Sequence, residues 1–370
     1  MKMKMKNKQV SGRPLDSSYS ACISNELPAR ILTALLLTDQ KKPKTPERTK
    51  RLNDMPGAES QELIEVQQCL AAGNAEDARD MLELGYAPSP MGFNQSGLSL
   101  AHYATVGESA ECLQLLAEVG VDLQAPCSSP KLDGATPAAV ACREDLPEAM
   151  EALLQLGVDA ARPCDKFGAR PAKVAAINGS VGCLKALHAA GVELRGLAGD
   201  RHGASLLFYA VTGAQAAAIT ALGECGLDCA AVCDRLGFTP ACYAATQDTT
   251  ECLEALRDAG VDLGAPCDRW GRTAARYCVA EDQAASLKLL YLQGVDLRAG
   301  CDDTGKPPRA LAEADEMPHL VELIDAMLLP LEQKPWKCKQ CELENKCEVK
   351  SCILCGASRG SNPDRVLVPH

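Results

Sequence analysis

A glycine returns at nearly the same interval seven times along this chain. Gly97, Gly134, Gly168, Gly203, Gly237, Gly271 and Gly305 are separated by 37, 34, 35, 34, 34 and 34 residues, and a second series, Gly120, Gly157, Gly191, Gly226, Gly260 and Gly294, keeps step with it. No other feature of the 370 residues constrains the fold as tightly. Self-similarity at this period means that each unit is one supersecondary element, too small to bury its own apolar face, and that stacking the units makes a continuous core. Composition agrees: with aromatic residues at 4% against 46% hydrophobic overall, the core must consist of thin layers of Ala, Leu, Val and Cys, which suits stacked helices better than one globe.

Period alone does not choose among solenoids, because tetratricopeptide units have the same length. The internal pattern does choose. Each unit opens with an Asp-x-x-Gly turn, followed in the clearest cases by Thr136–Pro137 and Thr239–Pro240, where proline starts a first helix without forfeiting a hydrogen bond. A second helix carries apolar residues at three-and-four spacing, Cys112, Leu113 and Leu116 in one unit and Cys252, Leu253 and Leu256 in another. It stops at a glycine suited to a left-handed cap. An extended Val-Asp and a run of small residues close the unit. Segments such as "DGATPAAVA" from Asp133 and "DRLGFTPACYA" from Asp234 resemble the ankyrin repeat, with its D-x-x-G-x-T-P-L-H-x-A pattern. The resemblance spans residues 59–330 and implies a mostly α solenoid of helix-turn-helix plus hairpin units, about eight with the caps. Ser99–Leu100, Arg170–Pro171, Ser205–Leu206, Thr273–Ala274 and Pro307–Pro308 replace the Thr-Pro pair, and the motif histidine survives at His102. The apolar positions and glycines carry the stacking, so the fold tolerates these departures.

The 20 cysteines would in a secreted chain suggest disulfides. No secretory leader is legible, and most of the cysteines recur at apolar positions. Cys164, Cys233, Cys267 and Cys301 precede the turn aspartate; Cys112, Cys183 and Cys252 share a place in the second helix. Equivalent positions in stacked helices lie about 8–10 Å apart, beyond the roughly 7 Å limit for a disulfide, so these are expected to be packing residues.

The net charge of −11 conceals an asymmetry. Residues 1–55 hold 12 Lys/Arg against 5 Asp/Glu, residues 333–360 hold 6 against 3, and the body between them stands at −21. Any nucleic-acid contact would therefore belong to the ends. Residues 1–58 read as a basic, disordered segment. The apolar run "ILTALLLT" from Ile31 is too short to cross a bilayer, and the cluster Lys41, Lys42 and Lys44 reads either as a nuclear-import signal or as a solvated basic linker. An intracellular setting, cytoplasm or nucleus, is expected, with an organelle leader as the alternative.

Residues 331–360 are a separate module, and 361–370 a tail. Cys338-x2-Cys341 and Cys352-x2-Cys355 are two pairs of the kind that turn two thiolates toward one ion, and together they make the four-sulfur shell that zinc accepts. One structural zinc is expected; with four sulfurs around it, no position remains for water or substrate. Cys347, between the pairs, is a spare that reads as an idle surface residue or a reactive thiol. The spacing Trp336-x-Cys338-x2-Cys341-x3-Asn345-x6-Cys352-x2-Cys355 resembles the RanBP2-type (Npl4-type) zinc finger. That resemblance implies that Trp336 and Asn345 form the finger's core. Ubiquitin-binding members of that family carry Thr-Phe after the second cysteine and an apolar residue before the fourth; here Glu342, Leu343 and Leu354 stand there, so Leu343 and Leu354 make a candidate partner patch. RNA-binding members use arginines and an exposed ring, whereas this finger offers Lys337, Lys339, Lys346 and Lys350. Ubiquitin or another protein surface therefore ranks ahead of single-stranded RNA, with a purely structural finger as the third reading.

A second candidate surface lies beside the opening glycines. Lys166 and Phe167, Arg201 and His202, Arg235 and Leu236, and Arg269 and Trp270 occupy successive units, with Phe238 and Arg272 just past the glycine. On an acidic body this basic, partly aromatic stripe suits an acidic partner segment, since Trp and Arg are common energetic anchors of interfaces. The alternative is that each arginine pairs with the neighbouring Asp200, Asp234 or Asp268 at little gain. No phosphate loop or HExxH occurs, and the five histidines are scattered. The expectation is a non-enzymatic adaptor with no membrane and no small-molecule substrate; the alternative is a nuclear scaffold whose finger binds RNA.

Overall fold

The computed structural model describes residues 61–83, 97–128, 132–195 and 204–329, together with the backbone of 336–337 and 344–345. One carboxylate explains the turn that opens a unit. Asp165 Oδ1 accepts from the N–H of Phe167 and Ala169, Asp234 Oδ1 from Leu236 and Phe238, Asp268 Oδ1 from Trp270 and Arg272, and Asp302 Oδ1 from Thr304 and Lys306, all at 2.7–3.0 Å. Wrapping the backbone around that oxygen drives the third residue after the aspartate to φ of 78–86° at Gly168, Gly237, Gly271 and Gly305, a region open chiefly to glycine. The expected Asp-x-x-Gly spacing fails in one described unit. Before Gly134 the aspartate is adjacent to the glycine, and Asp133 itself takes φ 55°.

The cysteine before each aspartate closes the hairpin. Cys164, Cys233, Cys267 and Cys301 donate their N–H to the carbonyls of Ala169, Phe238, Arg272 and Lys306 at 2.7–2.8 Å. Their own carbonyls accept from the unit before: Thr136 to Cys164, Ser205 to Cys233, Thr239 to Cys267 and Thr273 to Cys301, at 2.8–3.0 Å. Four layers thus hand one N–H each to their successors. In the last described unit that donor position is occupied by Pro307, which has no N–H.

Among the described residues eight helix pairs follow one another: α1 Gln61–Ala71 and α2 Ala75–Glu83, α3 Leu100–Val106 and α4 Ala110–Glu118, α5 Pro137–Glu144 and α6 Pro147–Gln155, α7 Pro171–Asn178 and α8 Val181–Ala189. The series continues with α9 Leu206–Thr212 and α10 Ala216–Glu224, α11 Pro240–Ala244 and α12 Glu251–Asp258, α13 Ala274–Ala280 and α14 Ala284–Leu292, α15 Pro308–Ala314 and α16 Pro318–Leu328. First helices stack on first helices and second on second, the arrangement of a solenoid in which each unit meets only its neighbours. The second helices carry its apolar spine. Leu113, Leu116, Leu153, Leu184, Leu187, Ile219, Leu222, Leu253 and Leu256 are fully buried, each side chain stabilising by about 1.5–3 kcal/mol. Cys112, Cys183 and Cys252 are fully buried among them.

Between α11 and α12 no left-handed residue occurs; in the other seven described pairs the chain passes through one left-handed residue between the two helices. It is glycine at Gly73 and Gly179 but Glu108, Asp145, Ala214, Asp282 and Glu316 elsewhere, with φ of 51–60°. Asp145 offsets that cost by accepting from the N–H of Gly182 and Cys183 at the start of α8. Ala214 is exposed, with only a methyl group to show for its φ of 54°. Ala214→Gly is therefore expected to raise stability by about 0.5–1 kcal/mol, read as a shift of the denaturant midpoint at unchanged slope.

The junction with the 37-residue interval uses a side chain in place of the backbone relay. His102, in α3, reaches the Ala135 carbonyl of the next unit with Nε2 at 2.9 Å, while Nδ1 lies 3.2 Å from the Ser99 N–H and 2.7 Å from Ser99 Oγ. A carbonyl can only accept, so Nε2 carries the proton and Nδ1 accepts. Burial holds the imidazole neutral, its pKa lowered to about 4.

Among the described residues the C-terminal segment is a two-stranded antiparallel pair, β1 Trp336–Lys337 and β2 Glu344–Asn345, with Trp336 opposite Asn345 and Lys337 opposite Glu344. No helix of the described residues is long and apolar enough to cross a membrane.

Candidate recognition face

The hairpin tips place the stripe of residues beside the opening glycines at successive layers, and the tip at Gly271 is the most elaborate. Asp268 has two jobs. Its Oδ1 holds the turn, and its Oδ2 accepts from Arg272 Nε and from the Tyr277 hydroxyl, both at 2.5 Å. Burial alone would push this carboxyl up, but the bonds from Tyr277, Arg272 and the Trp270 N–H outweigh it and hold its pKa below the usual value. Burial, and then the bond to Asp268, push the Tyr277 hydroxyl the other way. The carboxylate is thereby saturated within its own unit.

Arg269, next in sequence to Asp268, consequently has no carboxylate partner among the described residues. Its guanidinium lies over the Trp270 ring, 4.3 Å from the centroid, and Arg272 covers the same ring at 4.4 Å. The indole, 42% exposed, is gripped by two cations, a contact worth roughly 0.5–2 kcal/mol for each. Arg235 repeats the logic one layer earlier. Asp234 Oδ1 is committed to its turn and Oδ2 to the Tyr243 hydroxyl at 2.5 Å, leaving Arg235 exposed with no carboxylate partner among the described residues. The expected alternative, an arginine paired with the aspartate beside it, is thus corrected for Asp234 and Asp268. The aspartates are held by the turn and by a tyrosine nine residues on, which removes the acceptor before the adjacent arginine can use it.

Phe238 also needs correction as a contact residue. It is buried at 6% exposure, with its ring 5.9 Å from Trp270, 5.6 Å from Tyr243 and 5.9 Å from Tyr277. The residue after the glycine turns inward to continue the hairpin into the first helix, so Phe238 supports Trp270 from behind. Tyr243 and Tyr277, which bind the turn aspartates, were not apparent from the spacing of the tips; the signal is a tyrosine nine residues after the turn aspartate.

At the far end of the described stripe, Lys166 forms an ion pair with Asp133 of the preceding unit and lies 5.0 Å from the Phe167 ring centroid, with Phe167 49% exposed. A recess of about 670 Å³ beside it is lined by both signs of charge, Asp122, Asp159 and Asp165 with Arg162 and Lys166, so it has no preference for an anion. Arg201 and His202 lie outside the described residues, as do Asp200, Cys338, Cys341, Leu343, Cys347, Cys352, Leu354 and Cys355. Of the expected finger residues, Trp336 and Asn345 are described in their backbone, as the pair that joins β1 to β2. Among the described residues no group of three or more His, Cys, Asp or Glu is arranged to hold a metal.

No protein-family model matches the chain, and no curated protein matches it. Among solved structures, the human ASB11 ankyrin repeat domain is similar at 22% identity and a TM-score of 0.47, over 60% of this chain and 96% of that one. The ankyrin repeat domain of Bcl-3, described as a unique member of the IkappaB protein family, is similar at 19% identity and a TM-score of 0.47, over 57% of this chain and 92% of that one. The turn, relay and helix-pair geometry set out above is that of a solenoid of stacked helix pairs joined by hairpin tips.

Proposed function

We propose that this chain is a non-enzymatic adaptor that takes hold of a partner protein through its hairpin tips, with the partner supplying an acidic segment that carries an apolar or aromatic residue. One observation carries the reading: Arg235 and Arg269 stand beside aspartates whose oxygens are already committed, so their charges face solvent on a molecule of net charge −11. Arginines without a carboxylate partner among the described residues can give both on-rate and specificity to an acidic segment. Trp270 and Phe167, each about half exposed, offer the apolar contact.

A fluorescein-labelled peptide of Asp and Glu with one Phe tests this reading by polarisation. Arg235→Glu with Arg269→Glu is expected to weaken binding at least about tenfold, that is by about 1.4 kcal/mol, and added salt should weaken the wild type but not the double variant. Equal binding by both proteins would remove the recognition face.

The same reading gives the C-terminal segment a structural zinc. Pairing of β1 with β2 brings together the two ends of the segment that contains Cys338 and Cys341, and the donor set completed by Cys352 and Cys355 is four thiolates, which suits zinc. The ion would supply folding free energy to a module too small to bury much surface. Leu343 and Leu354 would then present an apolar patch to ubiquitin or a similar protein surface. Lys337, Lys339, Lys346 and Lys350 support an RNA-binding finger less well, because no second ring is on offer for stacking.

A further inference from the structure

The cysteines before the turn aspartates share one backbone position, defined by the N–H that closes the hairpin and the carbonyl that accepts from the previous unit. What each thiol can meet depends on the third residue beyond that donor, on the first helix of the previous unit. Counting from Thr136, Ser205, Thr239 and Thr273, the residue is Ala139 for Cys164, Phe208 for Cys233, Cys242 for Cys267 and Arg276 for Cys301. In one unit, then, the register sets thiol against thiol. The structure joins Cys242 and Cys267, with their Cα atoms 5.6 Å apart, inside the range an unstrained disulfide needs. This corrects the expectation that Cys267 is a packing residue: the stacking argument holds between equivalent positions, and Cys267 meets a non-equivalent one.

The bond has consequences for the tip. Cys267 immediately precedes Asp268, and its N–H donates to the Arg272 carbonyl at 2.7 Å, so it anchors the root of the hairpin that presents Trp270. Cys242 lies in α11, which at five residues is the shortest of the described helices.

We propose that Cys242 and Cys267 are a reversible dithiol–disulfide couple that fastens the Trp270 tip to α11. Two thiols give up two protons and two electrons as the S–S bond forms. Hydrogen peroxide accepts both pairs and leaves as two waters; a small-molecule disulfide accepts them by exchange and leaves as two thiols. Both cysteines are almost fully buried, at 1% and 3% exposure, so reagents reach them when the tip parts from α11, and the closed bond suppresses that parting. The device does not depend on what the tip binds.

The full chain, treated with hydrogen peroxide or with dithiothreitol, is compared with Cys242→Ala. Alanine is tolerated at this register, as Ala139 shows, and unchanged helical circular dichroism checks the fold. Peptide mapping after alkylation of free thiols should recover the 242–267 link in the oxidised wild type. Hydrogen exchange at the Trp270, Gly271 and Arg272 amides should then be roughly tenfold slower than in the reduced protein, with no redox effect in Cys242→Ala. Absence of the linked peptide, equal tip exchange in the two wild-type states, or a surviving redox effect in the variant would each overturn the proposal.

Discussion

Lowering the pH from 7 to 4 is expected to remove about 3 kcal/mol from the layers joined by His102, before any other group is counted. The figure follows from linkage. The ring's pKa falls from 6.5 to about 4 on folding, each unit corresponds to about 1.4 kcal/mol, and the unfolded chain binds the proton first. The stabilisation is therefore fully present above pH 6.5 and is lost progressively as the pH falls toward 4. The structural cause is specific. Burial disfavours the charged ring, which is 1% exposed and would have to hold its second proton on Nδ1 beside Ser99. The measurement is urea unfolding across this range for the wild type and His102→Gln, whose side chain does not titrate. The wild-type curve should fall more steeply by the stated amount, whereas parallel curves would show that His102 remains neutral in both states or is charged in both.

Withdrawing zinc should have the larger effect, confined to residues 331–360. For a small four-cysteine module the metal's binding free energy is in effect its folding free energy, of order 10 kcal/mol. A strong chelator is thus expected to release one zinc per chain and collapse the amide dispersion of Trp336, Lys337, Glu344 and Asn345, the residues of the strand pair. The helical signal of the repeats should stay unchanged. Ubiquitin added to the zinc-loaded chain should shift Leu343 and Leu354, and added to the chelated chain should shift nothing. A chain that purifies without zinc, or one whose strand pair survives chelation, would end the metal reading.

The solenoid is legible in the sequence because its signals are steric and local. Glycine is almost alone in tolerating the tip conformation, so Gly168, Gly237, Gly271 and Gly305 mark every turn they open, and the apolar spine of Leu and Ile keeps helical spacing without help from neighbours. What escapes a linear reading is competition for partners and contact across layers. Arg269 is one residue from Asp268 and Arg272 four, yet the turn aims the farther guanidinium and not the nearer at the carboxylate. Phe238 and Trp270 both look like exposed rings on a tip; standing after the glycine instead of before it buries the first. Cys242 and Cys267 are 25 residues apart and belong to different positional series, so their meeting depends on how one layer is set upon the next. The left-handed Glu108, Ala214 and Glu316 carry no compositional mark at all, because the helix pair imposes the conformation on whatever residue stands there.

Pro307 gives the stack a direction and a terminus. Thr136, Ser205, Thr239 and Thr273 each need a following layer to receive their amide hydrogen, so a stack cut short after any of them would expose an unpaired donor at its rim. With proline in that place, the last described layer asks nothing of a successor, and another copy of the chain cannot grow the column through this link. The molecule's reach is therefore written into its own backbone: it is a ruler of fixed length, whose graduations are the tips and whose last mark is a residue with nothing to hand on.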